Sequence, residues 1–171
     1  VDIKQIAADY YVFAGHKTLY GSFGVGGLIL DSKSKLEPLM YGGSGIDSLS
    51  HTMPETMPER YESGSRNIQA VAGLNAALKW ILEQGIEKIY QKEKEYTTKL
   101  IDIIKGYSNI KLIGYKDEES NIGVASCLFD GYSSDNIGQV LNEQDIAVRT
   151  GLHCSPIAHE FFGTSPEGTV R

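Results

Sequence analysis

The chain has 171 residues, 41% of them hydrophobic, and a formal charge of −6. That length suits one ordinary domain, or one domain and part of another. Mild acidity without a basic block leaves no nucleic-acid footprint, and the longest uncharged run, Thr18 to Leu30, is too short and too rich in Gly and Ser to span a bilayer.

In chain order, "DYYVF" (9–13) is aromatic and β-branched and predicts a strand. "VGGLILD" (25–31) predicts another, with Gly26 and Gly27 marking a close backbone approach or a bulge. Between them runs a glycine-rich loop. Residues 42–66 carry "GGSG" and two Met-Pro pairs, which forbid a regular helix and predict a working or disordered loop. From Ser65 the spacing of Ile68, Val71, Leu74, Leu78 and Ile81 predicts a helix, capped by Ser63 or Ser65 and closed at Gly85. A second helix is expected from Ile86 to Lys105, ended by Gly106. Strands are expected at 110–115 and 123–131, the latter apolar enough for burial on both faces. A short helix at 133–144, a strand at 146–151 and a loop-rich last twenty residues complete the order. The class is α/β, divided as 1–67, a connecting helix 68–85, and a small domain 86–171.

Three places could carry chemistry. Lys17 leaves an apolar strand beside His16 and enters a loop whose backbone can approach a phosphate. A nucleophilic lysine needs desolvation or a neighbouring positive charge, and the apolar strand suggests the former. Of the two cysteines, Cys127 sits in an apolar strand and reads as buried and inert. Cys154, in "VRTGLHCSP", reads as an exposed thiol, with His153 and Arg149 supplying positive charge that favours thiolate. His153, Cys154 and His159 lack a fourth zinc ligand at familiar spacing, so no metal site is expected. Ser65, ahead of the long helix, suits a helix cap or a phosphate. Arg171 and Arg149 are bidentate partners for a carboxylate. With no secretory leader visible, both cysteines are expected as thiols in a reducing, cytoplasmic compartment.

Together, "FAGHKTLYGSFGVGGLIL", "GGSG…PERYESGSRN", the helix 68–84 and "IAVRTGLHCSPIAHEFFGTSPEGTVR" resemble the class V aminotransferase-like enzymes, specifically cysteine desulfurases and selenocysteine lyases. The resemblance implies a partial fold type I structure and pyridoxal 5'-phosphate as cofactor. It implies that Lys17 holds the cofactor and that His16 lies at its phosphate. Ser65 would reach the phosphate of the partner subunit in a homodimer. Cys154 would become a persulfide, Arg171 would clamp the substrate carboxylate, and Arg149 would assist near the cysteine loop. The implied substrate is L-cysteine or selenocysteine, and the implied recipient is a sulfur-acceptor protein, with no nucleic acid or membrane involved. Ala14 departs from the Ser or Thr that many relatives carry three residues before the lysine. The family's upstream cofactor residues are absent, which implies a fragment with weak cofactor binding and little activity by itself. Another class V enzyme, or a non-catalytic piece that binds a sulfur acceptor, remains a rival.

Overall fold

A computed structural model describes residues 2–31, 33 and 35–171 of the chain. These form two compact α/β units, one ending at Gly85 and one running Ile86–Arg171. The first holds helix α1 (Ile3–Ile6), strands β1 (Tyr10–Ala14) and β2 (Gly26–Leu30), a single 3-10 turn (Glu59–Tyr61) and helix α2 (Ile68–Gln84). The second holds α3 (Ile86–Lys105), β3 (Ile110–Ile113), β4 (Ser126–Phe129), α4 (Ser134–Glu143) and α5 (Pro156–Phe161).

β1 and β2 pair antiparallel in unbroken register from Tyr10 opposite Leu30 to Ala14 opposite Gly26. The two glycines therefore mark close approach, not a bulge: a side chain at Gly27 would overlap the ring of Phe13, which sits opposite. β1 is not buried. Val12 is 75% exposed on this two-stranded sheet. The loop after β1 packs instead on α2. Methyl groups built on Gly15 and Gly21 would meet the side chain of Leu74 at 3.3 and 2.9 Å, and the rings of Tyr20 and Trp80 meet edge to face. Leu74, Ala70 and Met53 are among the buried apolar residues of this unit.

α2 begins at Ile68, and its cap is Asn67, whose Oδ1 accepts the Ala70 N–H at 3.1 Å. Ser63 and Ser65 lie outside the helix. Gly85 closes it at φ +82°, as its place in the sequence requires. The long segment before α2 is irregular but tied down. The Arg60 guanidinium, only 14% exposed, reaches Glu55 at 2.7 Å and Glu37 at 3.6 Å. The Tyr61 hydroxyl donates to the Leu36 carbonyl and accepts the Leu36 N–H.

In the second unit β3 and β4 pair antiparallel, with α3 packed on β3 and α4 on β4. Ser133 caps α4. β4 is shorter than expected and only Cys127 on it is buried. No strand forms at 146–151 as a regular element. Residues 149–151 nevertheless pair with 169–171: Arg149 and Arg171 exchange N–H···O bonds of 2.9 and 2.8 Å, and the Thr169 N–H reaches the Gly151 carbonyl at 3.1 Å. On its other side this strip meets β4, where Cys127 and Val170 exchange bonds of 2.7 and 3.0 Å. Gly151, at φ +91°, ends the pairing. The last twenty residues also contain α5, with Pro156 in its first turn.

Gly168 lets the strip approach. At φ +73° it lies so close to Gly151 that a Cβ would overlap that residue's carbonyl. Gly168→Ala should cost about 2 kcal/mol or more, from the left-handed backbone and this overlap. Leu74→Ala should cost the first unit about 3 kcal/mol. Urea titration followed by circular dichroism tests both, and an unchanged midpoint for either refutes the corresponding packing.

Candidate functional site

In the first unit the site residues sit where the chain leaves β1. The Gly15 N–H donates to the Val25 carbonyl at 3.0 Å, and the Gly15 carbonyl accepts the Gly21 N–H at 2.8 Å. A turn closes from the Tyr20 N–H to the Lys17 carbonyl at 3.0 Å. This geometry leaves His16 and Lys17 exposed. The desolvation expected for Lys17 is not provided by this unit, since Lys17 is exposed and the strand before it is at most half-buried. Among the described residues, Lys17 has no carboxylate within ion-pair distance. The His16 ring stacks on Phe23 at 4.8 Å. Ser65 is exposed, two residues ahead of the α2 cap, and Arg66 beside it is paired with Glu62. An exposed primary amine, an adjacent imidazole and a hydroxyl ahead of a 17-residue helix are the donor types an aldehyde bearing a phosphate requires.

In the second unit the strip 169–171 organises the cysteine loop. After Arg149 the chain turns through three left-handed residues, Gly151 (φ +91°), His153 (φ +52°) and Cys154 (φ +61°). Such a conformation costs a non-glycine residue about 1–3 kcal/mol, so the surroundings must hold it. The Ser155 N–H closes the turn on the Leu152 carbonyl at 2.8 Å. The result exposes Cys154, which is in no disulfide, and the Arg149 Nη2 donates to its Sγ at 3.2 Å. A guanidinium N–H on sulfur favours the thiolate, the nucleophilic form. Cys127 is the opposite case. It is buried, and burial pushes its thiol above the ordinary range.

His153 does not add the positive charge expected of it. Its Nε2 lies 3.1 Å from the Thr169 carbonyl and 3.0 Å from the Thr169 hydroxyl. A carbonyl only accepts, so Nε2 carries the proton and Nδ1, buried and without a partner among the described residues, is the bare nitrogen. Burial, and then the charge of Arg171, hold this imidazole below the ordinary histidine value, against the hydrogen bond to Thr169. The ring is therefore neutral at pH 7, and Arg149 is the cation on the sulfur. His159, buried 5.5 Å away ring to ring, is held by Thr164 through Nδ1 at 2.7 Å. A pocket of about 220 Å³ is lined by His153, His159, Thr169 and Arg171, with Val124 and Phe162 as apolar wall. Thr169 and Thr164 were not legible as site residues, because a threonine in "GTSPEGTVR" has no signature of its own. Among the described residues no group of three or more His, Cys, Asp or Glu could hold a metal, and no helix is long and apolar enough to cross a membrane.

Lys17, His16 and Ser65 thus belong to the first unit, whereas Arg149, Cys154 and Arg171 come together in the second.

The Aminotransferase class-V family model matches residues 1–171. The chain is 34% identical over 167 residues to the cysteine desulfurase of Wigglesworthia glossinidia brevipalpis, covering 95% of this chain and 40% of the relative. It therefore spans about two fifths of that protein's length. Among solved structures, the Escherichia coli cysteine desulfurase CsdA superposes with a TM-score of 0.88 at 26% identity, over 99% of this chain and 42% of that one. The cystine C–S lyase C-DES, solved with its reaction product cysteine persulfide, superposes with a TM-score of 0.69 at 27% identity, over 88% and 41%. A variant of C-DES has glycine covalently linked to its PLP cofactor. The chain belongs to the class V aminotransferase family, whose members depend on pyridoxal phosphate, and it is a partial α/β structure of the fold that the cysteine desulfurases share.

Proposed function

We propose that this chain carries the lysine and the sulfur-accepting thiol of a cysteine desulfurase that converts L-cysteine to L-alanine. The observation that carries the reading is the exposed Cys154, presented on a left-handed turn with the Arg149 guanidinium on its sulfur. The similarity to cysteine desulfurases supports it, as does the resemblance of the sequence around Lys17 to that family.

Lys17 would hold pyridoxal phosphate through its amine, with His16 at the phosphate and Ser65 reaching the phosphate of a partner subunit in a homodimer. The cofactor, when bound, supplies the electron sink for the substrate carbon. Lys17 moves the proton at that carbon. Arg171, lining the pocket beside neutral His153, clamps the substrate carboxylate. The Cys154 thiolate attacks the substrate sulfur. Its lone pair forms the S–S bond as the substrate C–S bond breaks, that bond's electron pair stays with carbon, and protonation of carbon gives alanine. The persulfide left on Cys154 passes to a sulfur-acceptor protein. A cytoplasmic location fits two thiols outside any disulfide.

Incubation with pyridoxal phosphate and reduction with borohydride should label Lys17 above all other lysines in peptide mapping, and a label spread evenly over surface lysines refutes the cofactor assignment. In the enzyme that contains this sequence, Lys17→Ala should lower alanine formation from cysteine by at least about a hundredfold. Cys154→Ala there should abolish the protein-bound persulfide seen by mass spectrometry, and a persulfide that survives refutes the assignment of the thiol. Iodoacetamide at neutral pH should alkylate Cys154 and spare Cys127, whose thiol burial holds in the protonated form. Arg149→Met should slow the alkylation of Cys154 about fivefold, about 1 kcal/mol, the net worth of a typical hydrogen bond.

A further inference from the structure

We propose that Thr169 is a positioning residue for Cys154, acting through the imidazole of His153. The proposal rests on the reading of Cys154 as the sulfur-carrying nucleophile.

Thr169 is wholly buried, at 0% exposure. It faces the cysteine loop with all of its polar groups. Its N–H holds the Gly151 carbonyl, and its own carbonyl and hydroxyl both lie on the Nε2 of His153. His153 is the residue immediately before Cys154, and both have positive φ. A ring flip would set Cε1 against the Thr169 carbonyl and forfeit the hydrogen bond, and the other neutral tautomer would set a lone pair there. The second is repulsive, so the carbonyl selects the tautomer. The hydroxyl, 3.0 Å from the same nitrogen, limits the swing of the ring. A fixed ring fixes the backbone of residue 153, and that backbone decides where the next side chain leaves the turn.

The same strip also holds the partner of the sulfur. Arg149 pairs through its backbone with Arg171, two residues from Thr169. The loop that carries Sγ and the guanidinium that receives it are thus registered to one three-residue segment. The charged and titratable groups acting on His153 are Arg171, His159 and Arg149, and all three oppose its protonation. The tautomer is therefore maintained across neutral pH. Gly168 completes the arrangement, since its contact with Gly151 leaves no room for the strip to slide.

The test uses the chain itself, Thr169→Val, which keeps the shape and loses the hydroxyl, and Thr169→Ser, which keeps the hydroxyl. Two quantities are read: the nitrogen chemical shifts of the His153 imidazole, and the pH profile of Cys154 alkylation resolved by peptide. The unaltered chain and Thr169→Ser should show His153 protonated at Nε2 alone. Thr169→Val, which keeps the carbonyl, should retain the Nε2 tautomer but broaden the imidazole resonances as the ring swings, slow alkylation at pH 7 about fivefold, and move its midpoint upward as Sγ spends less time on Arg149. Unbroadened imidazole resonances and a wild-type profile in folded Thr169→Val overturn the proposal. Should Thr169→Val fail to fold by circular dichroism, His153→Gln and His153→Ala decide. Glutamine offers an N–H to the Thr169 carbonyl and should keep more of the Cys154 rate than alanine, whereas equal rates overturn the proposal. Failure of the underlying reading shows elsewhere: cysteine-fed enzyme with no persulfide on Cys154, while alkylation still responds to Thr169.

Discussion

The second unit depends on one short extended strip, residues 169–171, hydrogen-bonded on both edges. In an extended chain, alternate residues direct their backbone groups to opposite sides. Val170 therefore bonds Cys127 of β4, while Thr169 and Arg171 bond 149–151. These five backbone bonds, at a net of about 1 kcal/mol each, supply a few kcal/mol. Holding His153 and Cys154 left-handed costs about 2–6 kcal/mol. The two sums are of the same size. The strained turn persists because it is attached to a paired strip, and an isolated loop of this sequence would relax.

The strip also explains why the two thiols differ so sharply. Cys127 lies on β4 with its backbone bonded to Val170 and its side chain in the core, so burial keeps its proton on. Cys154 lies beyond the end of the pairing, where the backbone reverses and the side chain faces solvent with Arg149 beside it. The same functional group is inert in one setting and nucleophilic in the other. What separates them is the side of Gly151 on which each stands.

Residue type and local pattern made much of this legible. Apolar spacing marks α2 and α3, Gly85 marks the end of α2, and the surroundings of Cys154 mark it as the exposed thiol. Where local signals compete, the pattern is silent. Ser63, Ser65 and Asn67 can each cap a helix, and only the position of the first turn selects Asn67. At 146–151 the β-branched residues suggest a strand, but its partner is the strip 169–171, and a three-residue pairing ended by Gly151 makes no regular element. In the sequence His153 reads as a second cation four residues after Arg149, because nothing local reveals its burial. Burial and the Thr169 carbonyl, which decide its state, come from sixteen residues away.

That distance carries a constraint of its own. Arg149 and Arg171 form one hydrogen-bonded pair, so the guanidinium on the sulfur and the guanidinium in the pocket share a register. In paired strands a slip of one residue turns every side chain to the other face. Such a slip here would remove Arg149 from Cys154, Arg171 from the pocket and Thr169 from His153 together. The contact of Gly168 with Gly151 blocks it at one end, and the bonds of Val170 to Cys127 block it at the other. The thiol can therefore be exposed without being loosely placed, because the groups that define its chemistry move only as one.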